Sequence, residues 1–118
     1  MKTVLLVEDD DAFSYAASKA IEDAGYRVIV SRDTMEGLRA IDVEQTIDFV
    51  IADIKMPPGR PHGFAFGSMV HRRLPDVPIL YLTAYPELAA HALGSDRVLY
   101  KPLDEAALVD AINAQLRS

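Results

Sequence analysis

Five short apolar runs recur along the 118 residues: Val4-Leu5-Leu6-Val7, Arg27-Val28-Ile29-Val30, Phe49 to Ala52, Ile79-Leu80-Tyr81-Leu82 and Val98-Leu99-Tyr100. Helical patterns separate them. After the first run, Phe13, Ala16, Ala17, Ala20, Ile21 and Ala24 fall at helical spacing, and Gly25 suits the cap that ends the segment. After the second, Asp33 followed by Glu36 resembles a capping box, with Met35, Leu38 and Ile41 as the apolar stripe behind it. A helix is expected from about Phe64 to Arg73, leading into the stiff loop Pro75-Asp76-Val77-Pro78. Pro86 opens a short helix expected to run through Ala92. Asp104 is the N-cap of the last helix, Leu103 and Leu108 are spaced as a hydrophobic staple, and Leu108, Ala111, Ile112 and Leu116 form its buried face.

Repeated β-α units leave few architectures open. A strand buried on both faces, as Val4 to Val7 reads, belongs in a parallel sheet with helices on both sides. The expected fold is α/β: a doubly wound, five-stranded parallel sheet of flavodoxin-like order 2-1-3-4-5. Residues 1–118 are read as one domain, with no repeat, linker or low-complexity tract.

Composition removes several function classes. The chain has no cysteine, so disulfides, thiolate catalysis and cysteine-based zinc sites are excluded, which suits a reducing compartment. The N-terminal apolar stretch is too short for a signal peptide, and no run approaches the ~18 apolar residues needed to cross a bilayer. A formal net charge of −6 opposes non-specific binding to nucleic acid or anionic membrane. The expectation is a soluble cytoplasmic domain that binds neither.

The chemistry gathers at the strand ends. Asp53 closes the third run, and a carboxylate at the end of a buried strand is costly unless something binds it. Glu8-Asp9-Asp10 follows the first run, Thr83-Ala84 the fourth and Lys101-Pro102 the fifth. Ligands of open α/β sheets bind beyond the carboxyl ends of the strands, where all four segments lie. Three carboxylates brought together raise at least one pKa unless a cation intervenes. Oxygen ligands favour a hard ion such as Mg²⁺, Lys101 offers a point charge for a phosphoryl oxygen, Thr83 offers a hydroxyl, and the small Ala84 leaves an approach path. Singly, each residue has a structural reading: Asp10 or Asp11 caps the next helix, Thr83 ends a strand, and Lys101 is a surface lysine. Together, at matching strand ends, they favour a site for a cation and a phosphoryl group.

With these residues the chain resembles the receiver domains of two-component response regulators, over essentially its whole length. The motifs are Leu6-Val7-Glu8-Asp9-Asp10, Asp53-Ile54-Lys55-Met56-Pro57, Leu82-Thr83-Ala84 and Tyr100-Lys101-Pro102. The resemblance implies that Asp53 is a phosphoacceptor and that Glu8, Asp9 and Asp53 hold Mg²⁺, Asp9 more directly than Glu8. The Lys55 backbone carbonyl would be a further metal ligand. Thr83 and Lys101 would bind the phosphoryl oxygens, and the Lys101–Pro102 bond would be cis. The implied reaction is transfer from a phosphohistidine of a histidine kinase or histidine phosphotransfer protein, followed by hydrolysis, on a switch rather than a conventional enzyme. An unidentified downstream protein would read the switch.

Several positions depart from the family pattern. The glycine usual eight residues after the phosphoacceptor is replaced by Pro61, with Gly63 two later, so residues 57–63 read as a two-residue insertion. It is either tolerated loop variation or a place where Arg60 or His62 meets a donor kinase. Val98 stands where many receivers carry an aromatic switch residue; Tyr100 shares its strand face and either substitutes for that residue or packs, with packing its expected role. The Thr83-to-Lys101 segment leaves only a stub for a helix. Lys55 and Tyr85 hold positions that tune dephosphorylation in the family, and Tyr85 is expected to shield the path of the attacking water. His62, His71 and His91 lack metal-ligand spacing and read as surface or packing residues.

Other readings compete. A non-phosphorylated interaction module would keep the fold and lose the acids and the lysine. A phosphohydrolase acting on outside substrates typically has a second acid two residues after the nucleophile, where this chain has Lys55. A nucleotide-binding domain would need a glycine-rich loop after the first strand. A free-standing receiver and the C-terminal receiver of a hybrid histidine kinase would look alike.

Overall fold

A computed structural model describes residues 1–44, 46–55, 63–87 and 97–116. The elements run β1 (Thr3–Val7), α1 (Asp11–Asp23), β2 (Arg27–Ser31), α2 (Thr34–Val43), β3 (Phe49–Asp53), α3 (Gly63–Arg73), β4 (Ile79–Thr83), β5 (Arg97–Tyr100) and α4 (Glu105–Leu116). The five strands form one parallel sheet in the order β2-β1-β3-β4-β5, the flavodoxin-like order expected for the fold.

The alternation of side chains along each strand divides the core into two layers. Leu5 and Val7 of β1, Val50 and Ala52 of β3, and Ile79 and Tyr81 of β4 pack with Leu38 and Ile41 of α2 and Phe66 and Val70 of α3. On the opposite face, Val4 and Leu6, Phe49 and Ile51, and Leu80 and Leu82 pack with Ala17 and Ile21 of α1 and Leu108 and Ile112 of α4. Strands β1, β3 and β4 are buried at every position, as two-sided burial requires. Gly67 lets α3 approach β4 closely, since a Cβ there would lie 1.9 Å from the Tyr81 hydroxyl.

The helix ends follow their local chemistry. The Phe13 amide donates to Asp10 Oδ1 at 3.1 Å, the Glu36 amide to Asp33 Oδ1 at 2.9 Å, and the Ala107 amide to Asp104 Oδ1 at 2.7 Å. Each fills an orphan donor of a first turn. Gly25 follows α1 with φ 100°, a left-handed conformation that glycine adopts without steric cost.

Two apolar stripes differ from expectation by phase. Met35 is 39% exposed, because the inward face of α2 is Thr34, Gly37, Leu38 and Ile41, and Met35 points away from it. In α1 the exposed Ala16 yields its place to Ser14, which is buried with Ala17 and Ile21. The strands also run further than their apolar cores: β2 includes Ser31, β3 includes Asp53, β4 includes Thr83 and β5 begins at Arg97. Residues 56–62, with the loop insertion and His62, lie outside the described residues. So do residues 88–96, with His91 and the end of the short helix expected from Pro86, whereas Pro86 and Glu87 lie in a 3₁₀ turn.

Candidate functional site

Ladder bonds just beyond the strands fix the backbone at the sheet's carboxyl edge. The Glu8 amide donates to the Ser31 carbonyl at 2.9 Å, the Ile54 amide to the Leu82 carbonyl at 2.9 Å, and the Lys101 amide to the Thr83 carbonyl at 2.8 Å. The Lys101–Pro102 peptide bond is cis. Glu8 continues the series Val4, Leu6; Asp53 continues Phe49, Ile51; and Lys101 follows Leu99 by two residues. By strand periodicity these three side chains share the α1/α4 side of the sheet.

Lys101 ties them together. Its Nζ donates to Glu8 Oε2 at 2.5 Å and to Asp53 Oδ2 at 3.1 Å. All three groups are largely withdrawn from solvent: the side chains are 1% exposed for Glu8, 12% for Asp53 and 16% for Lys101. The other oxygens are held by main chain, Asp53 Oδ1 by the Lys55 amide at 3.1 Å and Glu8 Oε1 by the Asp10 amide at 3.2 Å. The ammonium also sits over the Phe13 ring, 4.3 Å from its centroid.

Burial pushes the Glu8 carboxyl up to about 7, against the hydrogen bond from Lys101, and the nearby Asp53 charge adds to the rise. One raised acid was expected from repulsion within a carboxylate cluster; loss of hydration is the larger cause. For Lys101, burial disfavours the charged form, but the Glu8 hydrogen bond and the Asp53 and Glu8 charges outweigh it and hold its pKa above the ordinary lysine value.

Asp9 is exposed at the rim, and carboxylate oxygens of Glu8, Asp9 and Asp53 lie within 4.8 Å of one another. Among the described residues, three clustered carboxylates, two of them bonded to the Lys101 ammonium, leave excess negative charge, and the all-oxygen donor set suits a hard divalent cation. These residues therefore fit Mg²⁺.

Thr83 is buried at the end of β4 on the opposite alternation, and its hydroxyl is engaged locally. It accepts from the Tyr85 amide at 2.9 Å and donates to the Tyr85 carbonyl at 3.2 Å. Tyr85, 42% exposed, has its ring 4.5 Å from Lys55 Nζ, so the chain after β3 and the chain after β4 meet beside Asp53. Tyr100 does not pack as expected: it is 49% exposed, because β5 is an edge strand paired only with β4 among the described residues. Val98 is partly buried against the α2/α3 layer. His71 is exposed in the last turn of α3. In the sequence Phe13 reads only as a core residue. The available signal was an aromatic side chain in the first turn after an acidic pair, one helical turn beyond Asp9.

This chain belongs to the response regulator receiver domain family, whose sequence model matches residues 4–113. The DNA-binding dual master transcriptional regulator RpaA of Synechocystis sp. is 31% identical, over 99% of this chain and 50% of its own length. The transcriptional regulatory protein CpxR of Escherichia coli is also 31% identical, over 99% of this chain and 50% of its own. The chain spans about half the length of these curated relatives. Among solved structures, the chemotaxis protein CheY4 of Vibrio cholerae superposes with a TM-score of 0.84 at 29% identity, covering 98% of this chain and 99% of that one. The receiver domain of the hybrid histidine kinase CckA gives a TM-score of 0.82 at 27% identity, covering 97% and 98%. No helix among the described residues is long and apolar enough to cross a membrane.

Proposed function

We propose that residues 1–118 form one phosphoacceptor switch domain, in which Asp53 accepts a phosphoryl group from the phosphohistidine of a kinase or a histidine phosphotransfer protein. The observation that carries this reading is the Lys101 ammonium bonded to both Glu8 and Asp53 at one sheet edge. An Asp53 carboxylate oxygen attacks phosphorus, the P–N bond breaks, and its electron pair returns to the donor imidazole. The product is an acyl phosphate. Water attack on phosphorus later breaks the new P–O bond, restoring the carboxylate and releasing inorganic phosphate.

The chain's own residues position and neutralise, which is most of what phosphoryl transfer asks of a protein. The Lys55 amide orients Asp53 through Oδ1. Lys101 stands where charge accumulates on the transferred group, and the Thr83 hydroxyl offers a donor once released from the Tyr85 backbone. Glu8, Asp9, Asp53 and the Lys55 carbonyl are the residues that would hold Mg²⁺, which when bound supplies positive charge against the phosphoryl oxygens. Tyr85, leaning on Lys55 beside Asp53, is read as a partial shield against the hydrolytic water. The domain acts on itself and so is a switch, not a conventional enzyme. A cytoplasmic setting fits a partner kinase of this kind.

Incubation with Mg²⁺ and a small acyl-phosphate donor, followed by intact mass measurement, tests the reading. One labile phosphoryl adduct is expected, absent in Asp53→Asn and suppressed by a chelator. No adduct in the unaltered chain would favour an interaction module without phosphorylation. The full reading frame decides the output. Relatives of about twice this length are transcriptional regulators, whereas the CckA domain comes from a hybrid kinase, so a following effector, a preceding kinase and a free-standing domain are the three arrangements to distinguish.

A further inference from the structure

We propose that Phe13 is a positioning residue for the Lys101 ammonium, its ring face holding the charge in place against Asp53 and Glu8. A lysine ends a stem of four methylenes and makes point-charge contacts with no fixed fork, so its location must be imposed by its surroundings. Two carboxylates hold one side of Nζ. The Phe13 ring, with its centroid 4.3 Å away, covers another. That distance lies within the reach of about 6 Å at which the negative face of a ring attracts a cation, and the attraction grows when water is excluded.

The ring is itself fixed. Phe13 lies in the first turn of α1, its amide bonded to the Asp10 cap, and it packs on the α1/α4 core layer. It also lines a small cavity of about 100 Å³ with Ala16, Leu103 and Leu108. This gives the ring a task the carboxylates cannot perform. The inference rests on Lys101 as a ligand of the phosphoryl oxygens: when Asp53 becomes an acyl phosphate, one of the two carboxylate contacts is replaced. The ring contact requires no change, so it keeps the ammonium over the site before and after transfer.

Initial rates of adduct formation from acetyl phosphate at fixed Mg²⁺, read by intact mass, provide the test. The chains compared are the unaltered protein, Phe13→Tyr, Phe13→Leu, Lys101→Met and the double variant Phe13→Leu/Lys101→Met. Phe13→Leu is expected to slow the reaction about five- to thirty-fold, and Phe13→Tyr, which keeps the ring face, to stay within about two-fold. On the Lys101→Met background, Phe13→Leu adds nothing. Equal losses on both backgrounds would show plain packing and overturn the inference, as would an undiminished rate in Phe13→Leu. A normal rate in Lys101→Met would instead sink the role given to Lys101, and the inference with it. A readout free of phosphorylation separates these cases. The Lys101 Cε protons should carry an upfield ring-current shift that persists in Phe13→Tyr and vanishes in Phe13→Leu; no such shift in the unaltered protein refutes the placement. If Phe13→Leu does not fold, Phe13→Met makes the same comparison.

Discussion

Two sets of ion pairs in this molecule use the same chemical groups to opposite effect. Arg27 with Glu44 and Arg73 with Asp42 are surface pairs, at 2.6 and 2.9 Å, with side chains 49% and 29% exposed in the first and 39% and 59% in the second. Water screens both, and such pairs add about 0–1 kcal/mol each. The Lys101 pairs with Glu8 and Asp53 are withdrawn from water and carry more acid than base, and the pKa values of Glu8 and Lys101 are raised there. Short distance does not distinguish the sets; hydration does. The first set decorates the fold, whereas the second holds electrostatic stress that a cation or phosphoryl group can relieve. The Arg27–Glu44 pair lines a groove of about 490 Å³ along the β2 edge, far larger than the small cavity beside Phe13. Cavity size is a poor guide here, because a transferred phosphoryl group needs aimed charge more than volume.

The contrast can be broken most forcefully at Lys101. Removing its charge in Lys101→Met leaves buried carboxylates without their cation, and should lower stability to urea by about 3 kcal/mol in metal-free buffer. Mg²⁺ should restore much of that loss, and a destabilisation under 1 kcal/mol would put this cluster in the same class as the surface pairs.

The next effect is a pH dependence. Glu8 titrates at 4.5 when unperturbed and at about 7 in the fold, so between these values the folded state holds a proton that the unfolded state has released. Stability from this group is full below 4.5 and is lost as pH rises through 7, by about 3 kcal/mol in metal-free protein. Denaturation curves of the unaltered chain and Glu8→Gln over that range should diverge accordingly, and parallel curves would refute the buried-acid account. Because Mg²⁺ competes with the proton, its stabilising effect should be larger at pH 8 than at pH 5.5.

A kinetic difference follows at Tyr85. Loss of its ring in Tyr85→Ala should speed decay of the phosphorylated protein, and equal or slower decay would remove Tyr85 from any shielding role. The smallest effect is expected at the surface. Arg27→Met should change stability by no more than about 1 kcal/mol and leave the adduct yield untouched. A larger loss of stability would mean that the β2 edge depends on charge after all.

Much of this site is legible in the sequence. Asp53, Thr83 and Lys101 follow apolar runs whose period and length mark strands, and the rule that ligands gather at the carboxyl ends of parallel strands places all of them at one edge. Helix phase was less legible. Met35 looked inward because it is apolar, yet an inward face at Thr34, Gly37, Leu38 and Ile41 turns it to solvent. Tyr100 reads as a packing residue because aromatics usually bury, but its strand lies at the sheet edge. Phe13 was visible only as a core residue, since nothing local ties it to a lysine far along the chain.

The sequence by itself determined the order of strands and helices, the caps of α1, α2 and α4, and the set of chemical groups delivered to the sheet edge. These depend on local periodicity and on short-range hydrogen bonds, which neighbouring residues specify. Tertiary structure alone decided the pairing and the charge states. Lys101 meets Glu8 across 93 positions and Asp53 across 48, and the elevated pKa of Glu8 arises from lost hydration. Distance between remote residues and exclusion of water are properties of the packed whole, so no stretch of sequence carries them.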